Sequence, residues 1–269
     1  MKKARILRWE SGRPPRRMTD ELAGEEPLEI RIENHALAVT MRTPGHDDEL
    51  AAGFLVSEGV ITRREQLVSI ASHPRNKDRN VIGVFLSDDV ELDLKRFERR
   101  TFMSSSCGLC GKTSINSVRR QFPLIRSRGR IHAKLLMQLP DKLRAQQNEF
   151  SRTGGLHAAG IFDLDGNLIA SREDIGRHNA VDKVLGFGLL NGLLPYDRHV
   201  LIVSGRASFE IMQKALAGRV PIIAAVSAPS SLAVEFAKAS RQTLAGFLRG
   251  DRMNVYSEAK RIAPSTFNR

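Results

Sequence analysis

Cys107 and Cys110 are the only cysteines in the chain, and they share one stretch, Ser104-Ser-Ser-Cys-Gly-Leu-Cys-Gly-Lys112. Gly108 and Gly111 open backbone angles that other residues resist and keep bulk away from both sulfurs. Thr113 or Ser114 can cap a following helix whose apolar stripe is Ile115, Val118 and Phe122. A thiolate at such a helix start, beside Lys112, is favoured over the thiol, and the thiolate is the reactive form. Three chemistries are open to this spacing: half of a metal site, a redox dithiol, or a nucleophilic sulfur. The motif alone does not choose among them.

Other polar clusters follow apolar strands and open helices. They are Arg172-Glu-Asp-Ile-Gly-Arg177-His178-Asn179, Ser204-Gly-Arg206-Ala-Ser208 and Ser227-Ala-Pro-Ser-Ser231. Small residues, serines and arginines at helix starts suit an anionic ligand, a phosphate above all. The plainer reading is that the serines and Asp174 only cap helices. Phe247-Leu248-Arg249-Gly250-Asp251-Arg252 can clamp a second phosphate between two arginines, or simply be an exposed hairpin tip. A structural zinc site wants four nitrogen or sulfur ligands, and there is no second cysteine pair; His157 and His178 join a set only through tertiary contact. Zinc deaminases place His-x-Glu before Pro-Cys-x-x-Cys. Here Ala159 stands where that glutamate belongs, and the cysteines precede His157. A thioredoxin-type pair follows a strand within βαβ, whereas this one follows a serine run.

The elements that must position these groups come in two sets. Residues 1–26, basic then acidic with Pro14-Pro15, read as a mobile arm. From 27 to 125 the pattern is a small α+β domain. It has a hairpin from Leu28 to Met41 turning at Asn34-His35, and a helix from Asp47 or Asp48 to Gly59. Strands at Val81–Leu86 and Val90–Leu94 precede the cysteine loop and its helix. Residues 126–269 form the larger domain. A connector over 123–137 with some strand content leads to a helix with Pro140 in its first turn and Leu143, Gln147 and Phe150 on one side. Then come strand Ala158–Phe162, a turn at Asp165-Gly166, a return strand Asn167–Ser171 and a helix Arg177–Leu190. Short continuous apolar runs, Val200–Val203 and Pro221–Val226, read as strands buried on both faces, separated by helices 208–217 and 231–239. A last hairpin, 243–256, closes the order β-β-α-β-α-β-α-β-β, which predicts a three-layer α/β domain.

Composition bounds the rest. The chain has 269 residues, 41% hydrophobic and 27% charged, which is ordinary for a globular protein. No run of about 18 apolar residues predicts a membrane span. The first residues are basic without an apolar stretch behind them, unlike a secretory signal, so a reducing cytoplasmic setting is expected. The net charge of +12 favours phosphate-bearing ligands or acidic partners. Aromatic content of 6% and the lack of a nucleic-acid motif argue against nucleic acid.

Taken in order, the segments resemble one family, the formate dehydrogenase accessory sulfurtransferases of the FdhD type. The matching stretches are Leu-Ala-Ala-Gly-Phe-Leu-Val-Ser-Glu-Gly at 50–59, Ser-Ser-Cys-Gly-Leu-Cys-Gly at 105–111 and Thr-Gly-Gly-Leu-His-Ala-Ala at 153–159. Glu-Asp-Ile-Gly-Arg-His-Asn-Ala-Val-Asp-Lys at 173–183, Ser-Gly-Arg-Ala-Ser at 204–208 and the 246–256 hairpin complete the set. The resemblance implies a cytoplasmic sulfur carrier whose larger domain is similar to the cytidine deaminase fold. Such a carrier takes sulfur from a cysteine desulfurase and passes it to the molybdenum cofactor, in its bis-guanine-dinucleotide form, before insertion into the formate dehydrogenase catalytic subunit. It implies Cys107 as the persulfide carrier with Cys110 assisting, Phe247 to Arg252 as the cofactor-binding segment, and a homodimer. His157, Arg177, His178, Ser204 and Arg206 are further candidates for nucleotide or pyrophosphate contact. No permanently bound metal is expected. A non-catalytic chaperone that only holds the cofactor is the alternative.

Overall fold

The computed structural model describes residues 2–33, 35–72, 80–92 and 122–264. The mixed α/β architecture is built on two main sheets. The smaller has the order β4-β3-β6-β5, from β3 (Glu26–Ile32), β4 (His35–Arg42), β5 (Leu67–Ser72) and β6 (Val81–Leu86). Strand β3 pairs antiparallel with β4 and parallel with β6. Leu28, Ile30 and Ile32 alternate into a core shared with Leu50, Leu55 and Val56 of helix α1 (Asp47–Glu58). Gly59, at φ 68°, ends that helix in the left-handed region. Its start differs from the sequence expectation. Asp47 does not cap; its carboxylate pairs with Arg42 at 2.8 Å, and His46 precedes the first turn.

The larger sheet has six strands in the order β13-β12-β11-β10-β8-β9. They are β8 (His157–Asp163), β9 (Leu168–Asp174), β10 (His199–Val203), β11 (Ile222–Ala225), β12 (Thr243–Arg249) and β13 (Arg252–Ser257). Strands β10, β11 and β12 run parallel, and the others antiparallel. Val200 and Ile202 enter one apolar cluster, with Leu136, Leu139 and Leu143 of helix α2 (Ala133–Arg144). Leu201 and Val203 enter the other. There they meet α4 (Arg177–Leu190), α5 (Phe209–Ala217) and α6 (Ser231–Ser240). Both faces are thus covered, which explains why these strands read as continuous apolar runs.

Several expectations are corrected. Residues 2–22, read as part of a mobile arm, form an antiparallel hairpin of β1 (Lys2–Glu10) and β2 (Arg13–Leu22). Strand β5 has no counterpart in the sequence reading, and Val90 to Leu92 form no strand. Pro140 lies inside α2 rather than in its first turn. The helix tolerates it because Leu136, Leu139 and Leu143 bury fully against the sheet, which outweighs one lost backbone bond. A separate short helix, α3 (Asn148–Thr153), follows. The strand content expected in the connector is present: Ile131–His132 (β7) pairs in parallel with Ile262–Ala263 (β14). The cysteine loop and the helix carrying Ile115 and Val118 lie outside the described residues.

Candidate functional site

Parallel pairing of β10, β11 and β12 brings their carboxyl ends to one edge. His157 at the start of β8 pairs there with Asp174 at the end of β9. This is the edge where α/β sheets bind ligands. A cleft of about 630 Å³ opens on it, on the α2–α3 side. His157, Ser204, Leu248, Arg249 and Gly250, all candidates from the sequence, line it. The wall opposite comes from α2 and α3 through Leu143, Arg144, Gln147 and Phe150. None of these four was a sequence candidate for the site. Arg144 stacks 4.3 Å over the Phe150 ring, and Gln147 is a buried amide beside an apolar stripe. Gln147, a polar residue in line with apolar Leu143 and Phe150, was the available signal.

Each wall is held by identifiable bonds. The Ser204 hydroxyl accepts from the Ala158 amide at 2.9 Å, and the Ser204 amide donates to the Ala158 carbonyl at 3.0 Å, locking β10 to β8. Glu173 accepts from the amides of Glu149 and Phe150 at 3.0 and 2.8 Å, a carboxylate on the first turn of α3 that fixes Phe150 over the cleft. Arg249 donates from Nε to the Val226 carbonyl at 3.1 Å. Leu248 is wholly buried and belongs to the core beneath the cleft. Phe247, at φ 53°, sits in the left-handed region with its ring exposed, where the β12–β13 register breaks. Strain of this kind persists only where the surroundings impose it, and it concentrates at binding segments.

Arg177 stands beside His157. A Cβ added at Gly205 would lie 3.2 Å from Nδ1 of His157, crowding that ring, and 3.9 Å from Cδ of Arg177, an ordinary contact. The Arg177 Nε is buried with no hydrogen-bond partner among the described residues. Arg206, Asp251 and Arg252 are exposed on neighbouring turns. Among the described residues, Asp141 is the one carboxylate lining a cleft that also holds Arg144 and Arg249, so its field favours anions.

His178 does not join this group. Its Nε2 lies 2.6 Å from Glu210 and 3.2 Å from the Ser208 hydroxyl, in a separate small cavity between α1, α4 and α5. Consecutive helical residues diverge by about 100°, which turns His178 towards α5 while Arg177 stays beside His157. Cys107 and Cys110 lie outside the described residues. Among those residues, no cluster of three His, Cys, Asp or Glu could hold a metal, and no helix is long and apolar enough to cross a membrane.

Burial first, and the Arg177 cation second, hold His157 below its ordinary value of 6.5. His199 is lowered by burial too. Unfolded histidines take up protons as pH falls through about 6.5 while these two resist. The stability they contribute is therefore complete above that pH and is lost below it. His157→Gln is expected to flatten the fall of the urea midpoint between about pH 7.5 and 5.5. An unchanged slope would show that His157 titrates as it does in water.

Comparison with known proteins agrees with this layout. The sequence profile of the FdhD/NarQ family matches residues 23–263. A Streptomyces coelicolor protein named sulfur carrier protein FdhD is 52% identical over 252 residues, covering 91% of this chain and 89% of its own. Its namesake in Mycobacterium tuberculosis is 48% identical over 253 residues, covering 90% and 92%. The one in Picrophilus torridus is 43% identical over 256 residues, covering 93% and 95%. A crystal structure of a Desulfotalea psychrophila chain, described as a formate dehydrogenase accessory protein, superposes with a TM-score of 0.77 at 25% identity. That match covers 97% of this chain and 98% of the other. A family profile spanning nearly the whole chain, relatives near half identity and a shared fold lead to one conclusion: the chain belongs to the FdhD/NarQ family.

Proposed function

We propose that this protein is a cytoplasmic sulfur carrier serving formate dehydrogenase, with Cys107 as the carrier and the molybdenum cofactor, in its bis-guanine-dinucleotide form, as the acceptor. The observation that carries the reading is the match to relatives named sulfur carrier protein FdhD across nine-tenths of the chain. The cleft supports the acceptor's class: a large, cation-lined crevice at strand ends, with apolar walls for a flat base and arginines for phosphates. Phe247 to Arg252, with Arg177 and Arg206 nearby, would hold the dinucleotide. The larger domain is read as cytidine deaminase-like, and the assembly as a homodimer. No resident metal takes part.

The Cys107 thiolate attacks the terminal sulfur of a desulfurase persulfide. The desulfurase cysteine leaves as thiolate, and Cys107 becomes the persulfide. Delivery at the sulfide level needs two electrons. The Cys110 thiolate supplies them by attacking the inner sulfur of Cys107; a Cys107–Cys110 disulfide forms, hydrosulfide leaves, and a cellular dithiol resets the pair.

Intact-mass analysis after incubation with a desulfurase and cysteine tests this. The wild type and Cys110→Ala are expected to gain one sulfur atom, while Cys107→Ala gains none at that site and fails to restore formate dehydrogenase. If Cys107→Ala still supports cofactor sulfuration, the persulfide role of Cys107 is wrong, and failure to gain sulfur on either cysteine would leave a chaperone that only holds the cofactor.

A further inference from the structure

The hairpin of β1 and β2 precedes the segment matched by the family profile, which begins at residue 23. It forms a two-stranded sheet of its own, held to α3 where Arg152 donates to Glu21 at 2.7 Å. Along β1 the burial alternates: Lys3, Arg5, Leu7 and Trp9 are exposed, while Ala4, Ile6 and Arg8 are half-buried. Leu7 opposes Arg17 and Arg5 opposes Thr19, so the exposed face combines Leu7 and Trp9 with a row of cations. Trp9 is 73% exposed and Leu7 51%. A tryptophan this open beside arginines has the composition of an interface centre rather than of free surface.

Residues 2–22 hold seven Lys and Arg against three Asp and Glu, a net of +4 out of the chain's +12. Arg13 and Arg16 are engaged by Glu10. Arg5 and Arg17, on the open face, have no carboxylate partner among the described residues. The outer edges of both strands carry no neighbour there either. Pro14 and Pro15 remove donors from β2, whereas the nine residues of β1 contain no proline. Edge, charge and apolar face therefore coincide on β1.

From this coincidence we infer that the hairpin is a docking arm for a partner protein, which lays an extended acidic segment along β1. Main-chain pairing at the edge supplies affinity, and Lys3, Arg5 and Arg17 select acidic side chains on the face where Leu7 and Trp9 bury. The net positive charge opposes a second copy of the same arm. A phosphodiester backbone has no row of N–H and C=O groups to pair with the open edge of β1.

Trp9 is the only tryptophan in the chain, so its fluorescence in the full-length protein reports this face directly. The probe is a synthetic peptide of alternating Glu and Val, as long as β1, compared with its Lys/Val counterpart and with an oligonucleotide of equal charge. The acidic peptide is expected to shift Trp9 emission to the blue and shield it from acrylamide, with saturation. The double variant Arg5→Glu/Arg17→Glu, with an unchanged melting temperature, should weaken that response at least about tenfold. The inference is overturned by no response to the acidic peptide, by a response that survives the double variant, or by tighter binding of the oligonucleotide. Self-association that disappears with the double variant would overturn it equally, by making a second copy the occupant. None of these readings depends on sulfur transfer.

Discussion

Gly53→Ala and Gly186→Ala are each expected to destabilise the protein by about 3 kcal/mol or more, lowering the melting temperature by roughly 6–12 °C. Helices α1 and α4 cross at these two residues with their backbones in contact. A Cβ at Gly53 would fall 1.7 Å from the carbonyl oxygen of Asp182, and one at Gly186 would fall 1.8 Å from that of Glu49. The obstacles are main-chain atoms inside two helices, so no rotamer change can relieve them, and the helices must part towards the roughly 8–10 Å spacing of ordinary pairs. Parting them opens the junction where Leu189 of α4 enters the core of the smaller sheet. It also pulls Ser57 away from Asp182, whose other carboxylate contact is Lys214 at 2.7 Å. Gly83→Ala is the control, since a Cβ there meets only ordinary contacts at 3.7 Å. Thermal melts that place all three variants together would mean that the helices yield easily, and the crossing would then not be what joins the two sheets.

That crossing shows what the sequence could and could not reveal. Its periodicity placed α1 and α4 well, because apolar spacing reports which residues are buried. In a helical pattern, however, a glycine reads only as a local penalty of about 1 kcal/mol. The reason for Gly53 is a backbone more than a hundred positions away. Strands β8 to β13 were legible for a related reason: short runs such as Val200–Val203 serve two cores at once, and few other structures need that. The β1–β2 hairpin was hidden because arginines and Pro14-Pro15 interrupt its alternation. At the site, strand ends placed the clusters at 172–179, 204–208 and 227–231 on one edge from sequence alone, whereas His157 and Arg249 reach it through the strand pairing. Arg144 and Phe150 escaped because they reach the cleft only once α2 and α3 lie across the opposite face. His178 lies apart from the cleft because the first turn of α4 directs it to Glu210, a placement that adjacency in a motif loop does not reveal.

The bond network behind that first turn carries the second large effect. Asp174 is wholly buried and accepts from the amides of Thr43 at 3.1 Å and Gly176 at 2.8 Å, and from the Asn179 side chain at 3.0 Å. Its one cation is Lys183, itself 1% exposed, at 2.8 Å. Lys183 also donates to the Thr43 carbonyl at 2.9 Å, and the Ile175 amide donates to the Thr43 hydroxyl at 3.0 Å. The pair thus staples the end of β4 to the loop that presents Arg177. Replacing it with apolar groups need not weaken the fold, but removing only the cation leaves a buried carboxylate uncompensated. Lys183→Met is therefore expected to cost about 3–5 kcal/mol in urea unfolding. Adding Asp174→Asn should return part of that loss, with a coupling of about 0.5–3 kcal/mol. The recovery stays incomplete, because the new amide turns a donor towards the Thr43 N–H that the carboxylate had satisfied. If the double variant is instead the less stable of the two, charge compensation is not what holds this staple, and the methylenes of Lys183 packed between the two sheets are.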